Sequence, residues 1–153
     1  ESVIPLCGLS KEENKELELV LNKMLEEGLR VLAFSFNHRV SENIDSEKMP
    51  KLSFGGFFGI KDGLRPEAKE AIKKAKEAGI RVIMITGDNK ITARALAKEA
   101  GIYEEGDGIL TDKDLDELSE EELMKKLPEV SIFARVTPEH KLKIIEAYKK
   151  EKR

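Results

Sequence analysis

The chain has 153 residues, of which 40% are hydrophobic and 37% are charged, and its formal net charge is -3. This composition is typical of a globular domain with its own core, and it excludes a disordered tail. The small net charge gives no general attraction to nucleic acid or to anionic lipid. The single cysteine, Cys7, excludes an internal disulfide and fits a reducing cytoplasmic setting. The longest apolar stretch, residues 80–85, is broken by Arg81 and is far too short to span a membrane.

The first part of the chain predicts a helix followed by two strands. Ser10 and Glu13 have the spacing of a capping box, and apolar residues then recur at helical spacing up to Gly28. Residues 29–36 and 54–60 are strand-like. Residues 37–51 are polar and without a pattern, which indicates a loop or a domain junction.

The middle of the chain alternates between helix and strand. Pro66 opens a helix that ends at Gly79, and a second helix begins near Ile91 and ends at Gly101. Between them, residues 80–85 form the apolar run expected of a strand that is covered on both faces. This order of elements predicts an α/β layer with a parallel sheet.

The last part of the chain begins with a strongly acidic region, residues 104–129, which predicts one short helix over residues 119–127. Residues 130–134 predict another strand, and no cysteine or histidine cluster has the spacing of a metal site. Thr137 and Pro138 then start a final helix that runs almost to the end of the chain.

The segment Thr86-Gly87-Asp88-Asn89 is the most informative site candidate. Ligands of parallel sheets bind beyond the carboxyl ends of strands, and a hydroxyl with glycine-flanked amides facing a helix N-terminus can seat a phosphate. The alternative is a strand-to-helix turn in which Asp88 or Asn89 caps the helix.

Three basic residues are candidates for anion contacts. Lys141 falls in the first turn of the last helix, where the helix dipole disfavours a cation by about 0.3–1 kcal/mol unless an anion is bound nearby. Arg135 lies just before this helix, and Arg30 lies at the start of a strand. Each of the three also fits an exposed surface residue.

These segments together resemble P-type cation-transporting ATPases, in the same order and over most of the chain. The motif at residues 133–141 contains Arg135, and this arginine-bearing form resembles the calcium, proton and sodium/potassium branches of the family. Four stretches carry the resemblance: residues 57–67, which resemble the Asp-Pro-Pro-Arg-Pro-Glu segment; residues 78–89, which contain the Thr-Gly-Asp motif; residues 133–141, which resemble Phe-Ala-Arg-Val-x-Pro-x-x-Lys; and residues 27–33, which are similar to the end of the nucleotide-binding domain.

The resemblance implies a fold and two domains. The fold would be α/β, a partial haloacid-dehalogenase-like (Rossmann-like) parallel sheet flanked by helices, without the central strand that carries the nucleophile. Residues 1–50 would be the C-terminal end of the nucleotide-binding domain with its junction, and residues 51–153 a partial phosphorylation domain. The parent protein would be an ATP-driven ion transporter, with this part on the cytoplasmic side of a membrane and itself soluble.

The resemblance also implies a role for each matched residue. Thr86, Lys141 and Asp88 would form the catalytic set: Thr86 would hold the phosphoryl oxygens, and Lys141 would neutralise charge that develops at the phosphorylated aspartate. Asp88 would act with Asp62 and Arg65 on the nucleotide and hinge side of the site. The residues assigned to nucleotide binding are Arg30, Asp62, Arg65, Gly87 and Arg135, and no residue is assigned to a metal.

ATP and magnesium are the ligands that the family uses, and for this chain alone no cofactor is implied. Magnesium would be held partly by the nucleophile segment and by a later aspartate-rich loop. The implied partners are the remainder of the pump, meaning its nucleophile segment, actuator domain and membrane domain. No nucleic acid is implied.

The sequence departs from the family in what it lacks. It has no Asp-Lys-Thr-Gly-Thr segment, and it ends before the Gly-Asp-Gly-x-Asn-Asp loop. The pair Asp114 and Asp116 resembles a phosphatase nucleophile but follows charged residues rather than an apolar strand, and residues 106–108 also lack a preceding strand. Without the nucleophile strand, residues 80–85 would keep an unpaired apolar edge, which predicts self-association, strand exchange or a rearranged sheet.

Two other functions remain open. One is a standalone non-catalytic module that binds a nucleotide or a partner protein. The other is a soluble phosphatase of the haloacid-dehalogenase-like superfamily, which shares the threonine and lysine motifs. The absent nucleophile counts against the phosphatase, because its covalent chemistry needs that aspartate.

Overall fold

The computed structural model describes residues 3–37 and 51–151, and its contacts divide the chain into two units. The first unit comprises Glu1–Leu25 and Leu29–Lys61, and the second comprises Glu26–Gly28 and Asp62–Arg153. The predicted loop at residues 37–51 falls almost entirely outside the described residues. The predicted domain boundary near residue 50 stays a prediction.

The first unit contains one long helix and a pair of strands. Helix α1 (Lys11–Glu26) follows a 3-10 helix, and strands β1 (Arg30–Phe36) and β2 (Ser53–Ile60) pair antiparallel. The capping box at the start of α1 is confirmed, because the amide of Ser10 donates to Glu13 Oε2 at 2.8 Å and the amide of Glu13 donates to Ser10 Oγ at 3.1 Å. The helix and both strands were therefore predictable from the sequence.

The second unit is a three-stranded parallel sheet with helices on both faces, which confirms the predicted fold class. The strands lie in the order β3-β5-β4. Its elements in chain order are α2 (Ala68–Glu77), β3 (Met84–Ile85), α3 (Lys90–Ala100), β4 (Gly108–Thr111), α4 (Asp112–Glu117), α5 (Glu120–Lys126), β5 (Val130–Ala134) and α6 (Pro138–Glu151).

Strand β5 is the strand that is covered on both faces. Phe133 packs with Leu115 and Ile144 in one buried cluster, whereas Ile132 packs with Ala93 in a second cluster that includes α3. All five of these side chains are fully buried. Since side chains alternate along a strand, β5 contributes to both clusters and connects them.

The strand predicted at residues 80–85 is much shorter in the structure. Only Met84 and Ile85 pair with a neighbouring strand, opposite Ile132 and Phe133 of β5. The preceding residues 80–83, which are apolar except for Arg81, form no ladder, and Ile80 is 61% exposed. The predicted length was wrong because a residue joins a sheet only where a neighbouring strand pairs with it. In the described residues β3 is an edge strand, and β5 pairs with only two residues of the predicted strand.

The acidic region contains one strand and one helix that the sequence did not predict. Strand β4 precedes α4, so the statement that no apolar strand precedes Asp114 was wrong. Asp114 is nevertheless a capping residue, because its Oδ2 accepts from the amide and the hydroxyl of Thr111, each at 2.7 Å. Burial acts to raise the pKa of Asp114, but these hydrogen bonds and the charges of Lys90 and Lys126 outweigh it and lower the pKa below its ordinary 3.8.

Residues 106–108, the other segment set aside on sequence grounds, lead directly into β4. Asp107 accepts hydrogen bonds from the amide of Glu104 at 2.9 Å and from Ser131 Oγ at 2.7 Å. These two bonds lower the pKa of Asp107, the backbone bond contributing most. Asp107 therefore joins the start of β4 to β5, which is a structural role.

Candidate functional site

The candidate site is built on the turn that follows β3. The amide of Thr86 donates to the carbonyl of Phe133 at 2.9 Å, so the turn starts where the ladder to β5 ends. Asn89 is the N-cap of α3, because its Oδ1 accepts from the amide of Ile91 at 2.8 Å. The capping role that the sequence left open between Asp88 and Asn89 thus belongs to Asn89.

Thr86 and Asp88 bind each other within this turn. The Thr86 hydroxyl donates to Asp88 Oδ2 at 2.8 Å, and its oxygen accepts from the amide of Asp88 at 3.1 Å. Both residues are half-buried. The threonine hydroxyl already has an acceptor, so an anion that bound there would have to take the place of the Asp88 carboxylate.

The loop after β5 is hydrogen-bonded to the same turn. The amide of Arg135 donates to the carbonyl of Asp88 at 2.9 Å, and the amide of Val136 donates to the carbonyl of Thr86 at 3.1 Å. These two bonds place the loop at the carboxyl ends of two adjacent parallel strands, where open α/β sheets bind their ligands.

Arg135 has a strained backbone and Gly87 has open space above it. Among the described residues, Arg135 is the one non-glycine residue with a positive φ, 57°, a conformation that costs about 1–2 kcal/mol. Backbone strain of this kind is concentrated at functional sites. A Cβ added at Gly87 would meet no atom within 4 Å, so the backbone there can be approached closely from outside.

Lys141 lies in the first turn of α6, and its side chain is exposed. Its amide donates to the carbonyl of Thr137 at 3.1 Å, so Lys141 lies one helical turn beyond Thr137. Helix α6 begins two residues after Val136, whose amide is bonded to the carbonyl of Thr86, so the first turn of α6 starts at the end of the sheet that carries Thr86. The role of Lys141 stays a prediction.

The remaining predicted residues lie elsewhere. Asp62 and Arg65 precede α2 in the second unit, and both side chains are exposed. The carbonyl of Arg65 accepts from the amide of Ala68 at 2.9 Å, so this residue helps to start α2. Arg30 begins β1 in the first unit.

The sequence predicted Thr137 at the start of α6 but assigned no role to His140, which contacts both Thr137 and Asp116. The amide of Thr137 donates to His140 Nδ1, and the amide of His140 donates to Thr137 Oγ1, both at 3.3 Å. His140 Nε2 lies 3.0 Å from Asp116 Oδ1 of α4. The available signal was the spacing Thr-x-x-His, which has the form of a capping box with histidine in place of glutamate.

The part of the chain that the structure describes brings few potential metal-ligating side chains together. No group of three or more histidine, cysteine, aspartate or glutamate side chains is arranged to hold a metal ion there. In the turn of residues 86–89, the carboxylate is supplied by Asp88. Because Mg²⁺ takes a near-octahedral set of oxygen ligands, these residues do not fit a magnesium site by themselves.

A family model for haloacid dehalogenase-like hydrolases matches residues 12–153. The match covers most of the chain and both of its units. The chain belongs to the haloacid dehalogenase-like hydrolase family, in agreement with its parallel sheet flanked by helices and with the turn that follows β3.

The more particular similarity is to cation pumps. The chain is 42% identical over 140 residues to calcium-transporting ATPase 1 of Bacillus cereus, which covers 91% of this chain and 16% of that protein. It is 43% identical over 141 residues to the calcium-transporting ATPase of Bacillus subtilis, with the same coverage. It is 39% identical over 153 residues to a probable cation-transporting P-type ATPase of Mycoplasma genitalium, which covers 96% of this chain and 17% of that protein.

These matches show that the chain is homologous to the haloacid dehalogenase-like region of P-type ATPases, and they confirm the resemblance at the level of that family. The chain spans about one sixth of the length of these curated relatives. Within residues 3–37 and 51–151, no helix is both long enough and apolar enough to cross a membrane.

Proposed function

We propose that this chain is part of the catalytic region of an ATP-driven P-type cation pump, on the cytoplasmic side of the membrane, and that it supplies the phosphoryl-contacting residues. The observation that carries the proposal is the turn from Thr86 to Asp88, hydrogen-bonded to the loop of Arg135 and Val136. Parallel sheets bind phosphoryl ligands at such a position, and the similarity to calcium-transporting ATPases supports the same reading.

Phosphoryl transfer depends mainly on positioning and on electrostatic stabilisation. Thr86 would donate its hydroxyl to a phosphoryl oxygen, and the open backbone at Gly87 would let that oxygen approach. Lys141 would neutralise charge on the transferring group. Asp88 would release the threonine hydroxyl when the phosphoryl group arrives, and its carboxylate would otherwise repel that group.

The nucleotide and the nucleophile involve more than this turn. Arg135, Arg30, Asp62 and Arg65 would contact ATP or the hinge beside it. The aspartate that becomes phosphorylated and most ligands of magnesium would come from other parts of the pump, because these 153 residues contain no Asp-Lys-Thr-Gly-Thr segment. On this proposal the chain alone does not turn over ATP.

The edge of β3 is the surface on which a further strand of the pump would pair. A groove of about 780 Å³ is lined by Ile80, Ile83 and Ile85, from β3 and the residues before it, and by Ile144 and Ile145 of α6. An exposed apolar edge is also a template for pairing between copies. The isolated chain would therefore self-associate through the same edge.

Binding of inorganic phosphate, followed by backbone NMR, tests the proposal. We expect amide shifts to centre on Thr86, Gly87 and Lys141, and no phosphate to be released when Mg-ATP replaces phosphate. Lys141→Ala should weaken binding about tenfold, the typical worth of a hydrogen bond to a charged group. Lys149→Ala is the matched control, because it removes an exposed lysine two turns further along the same helix.

Three results would count against the proposal. One is the absence of shifts at the turn at millimolar phosphate, and another is an equal loss of affinity in the Lys141 and Lys149 variants. The third is release of phosphate from Mg-ATP that disappears in Lys141→Ala, which would show that the chain is itself a catalyst.

A further inference from the structure

We propose that Arg81 is a positioning residue for the Thr86 turn, because its guanidinium group holds the residues before β3 against the start of β5 and so keeps the turn docked on the sheet. The inference rests on the proposed function only where it concerns a bound phosphoryl group. The docking of β3 belongs to the chain alone and can be measured without a ligand.

Arg81 is the one charged residue in the otherwise apolar stretch of residues 80–85. Its Nη2 atom donates to two backbone carbonyls that are distant in sequence, that of Leu127 and, at 2.9 Å, that of Val130. Leu127 begins the 3-10 helix before β5, and Val130 is the first residue of β5; both are buried. One side chain therefore bridges the approach to β3 and the start of β5.

These two bonds lie where the backbone ladder is not formed. The ladder between β3 and β5 begins at Met84, opposite Ile132, and continuing its register toward the N-terminus places Val82 opposite Val130. A guanidinium group carries several donors at the end of a long side chain, so it can reach carbonyls that the neighbouring backbone does not pair with. The side chain thus connects to β5 a segment that the ladder leaves out.

The other end of β3 is held by the turn itself. The amide of Thr86 donates to the carbonyl of Phe133, and the amide of Val136 donates to the carbonyl of Thr86. Only two residues of β3 are paired between this turn and Arg81, so the segment is anchored mainly at its two ends. Segments held by few bonds open at low cost, and losing one anchor should make the opening of β3 more frequent.

The charge of Arg81 also reaches the start of β4. Hydrogen bonds from the amide of Glu104 and from Ser131 contribute most to lowering the pKa of Asp107, and the charges of Lys76 and Arg81 add to this effect. Interactions between exposed charges are weak, so the anchoring is assigned to the two carbonyl bonds rather than to Asp107.

Three substitutions separate anchoring from packing. Arg81→Met keeps an apolar stem that can cover the neighbouring surface and removes every donor. Arg81→Lys keeps the charge and a donor group but loses the planar fork, so it should restore the contact in part. Lys149→Met is the matched control, because Lys149 is exposed and lines the same groove as Arg81.

The first measurement is native-state amide hydrogen exchange without ligand. The amides of Thr86 and Val136 report the docking of β3, and that of Ala147, which is fully buried in α6, reports wider opening of the unit. Arg81→Met should lower protection at Thr86 and Val136 about tenfold, the lower end for a hydrogen bond to a charged group because Arg81 is exposed. Ala147 should keep its protection, Arg81→Lys should recover part of the loss, and Lys149→Met should resemble the unsubstituted chain.

Two results of this experiment would overturn the proposal. Equal loss of protection at Thr86, Val136 and Ala147 in Arg81→Met would show a general contribution to stability and no selective effect on β3. Unchanged protection at Thr86 and Val136 would show that the ladder and the turn hold β3 without Arg81.

The second measurement adds inorganic phosphate at ten times the Kd of each variant. A ligand that binds only the docked turn should raise protection at Thr86 about tenfold, in Arg81→Met as in the unsubstituted chain, because its stabilisation follows its concentration relative to Kd. Phosphate should thereby restore most of the protection that Arg81→Met loses. Phosphate that binds Arg81→Met and leaves the Thr86 amide as weakly protected as before would overturn the link between Arg81 and the site.

The two proposals fail in different ways. If phosphate does not bind the unsubstituted chain, the proposed function is wrong, and the ligand-free exchange still decides whether Arg81 holds β3. If phosphate binds and protects Thr86 while Arg81→Met exchanges like the unsubstituted chain, the proposed function stands and the positioning role of Arg81 does not.

Discussion

Replacing two adjacent isoleucines of α6 tests how the core of the second unit is built. Ile144 is fully buried in the cluster that contains Phe133, whereas Ile145 is 45% exposed. Ile144→Ala removes three carbons, a transfer loss of about 2.4 kcal/mol, and the cavity left behind raises the cost to about 3 kcal/mol. Ile145→Ala should cost less than about 1 kcal/mol, because much of its side chain is already in water.

The assay is urea unfolding followed by circular dichroism. With a slope near 2 kcal/mol per molar, typical of a small protein, Ile144→Ala should lower the midpoint by about 1.5 M and Ile145→Ala by less than about 0.5 M. Ile145 is the matched control, since the change is chemically identical and lies in the next residue. Equal midpoint shifts in the two variants would refute the assignment of Ile144 to the core.

Three further predictions concern the caps, the turn and the sheet edge. Asp114→Asn should destabilise the fold by up to about 1 kcal/mol at neutral pH. Because the pKa of Asp114 is lowered in the fold, this stabilisation is present above about pH 4 and is lost on acidification, so unfolding of the variant and the unsubstituted chain should converge toward pH 2. Asp88→Asn should tighten phosphate binding in the NMR titration, because it removes a negative charge from beside the Thr86 hydroxyl; weaker binding would contradict this. Ile80→Lys should shift the isolated chain toward monomer in light scattering, and an unsubstituted chain that is already monomeric at high concentration would refute self-association through this edge.

Much of the second unit was predictable because its signals are local. Helix α3 has a capping side chain before it and Gly101 after it, and Pro138 marks the start of α6. The strand predicted at residues 130–134 forms over its whole length as β5, and it pairs with a strand on each side. Thr86 directly follows the strand-like residues 80–85, which is why the candidate turn could be located from the sequence.

The parts that were missed depend on distant contacts. Strand β4 has only four residues, and its place in the sheet is decided by β5 rather than by its own composition. The run at residues 80–85 has the composition of a strand, yet a ladder forms only where β5 reaches it. His140 was not singled out because its partner Asp116 lies on another helix, and a lone histidine gives no pattern.

The parallel topology of the second unit also bears on how it folds. Strands β4 and β5 are separated by two short helices, whereas β3 pairs with β5 across a much longer stretch of chain that includes both α3 and β4. Closing the longer loop costs more chain entropy, and the pairing that forms in compensation is only the short ladder at Met84 and Ile85. The β4–β5 half should therefore assemble first, and β3 with the Thr86 turn should dock last. The Thr86 turn, which would contact the phosphoryl group, is thus carried by the strand that opens most easily, and a bound anion would stabilise its docked position.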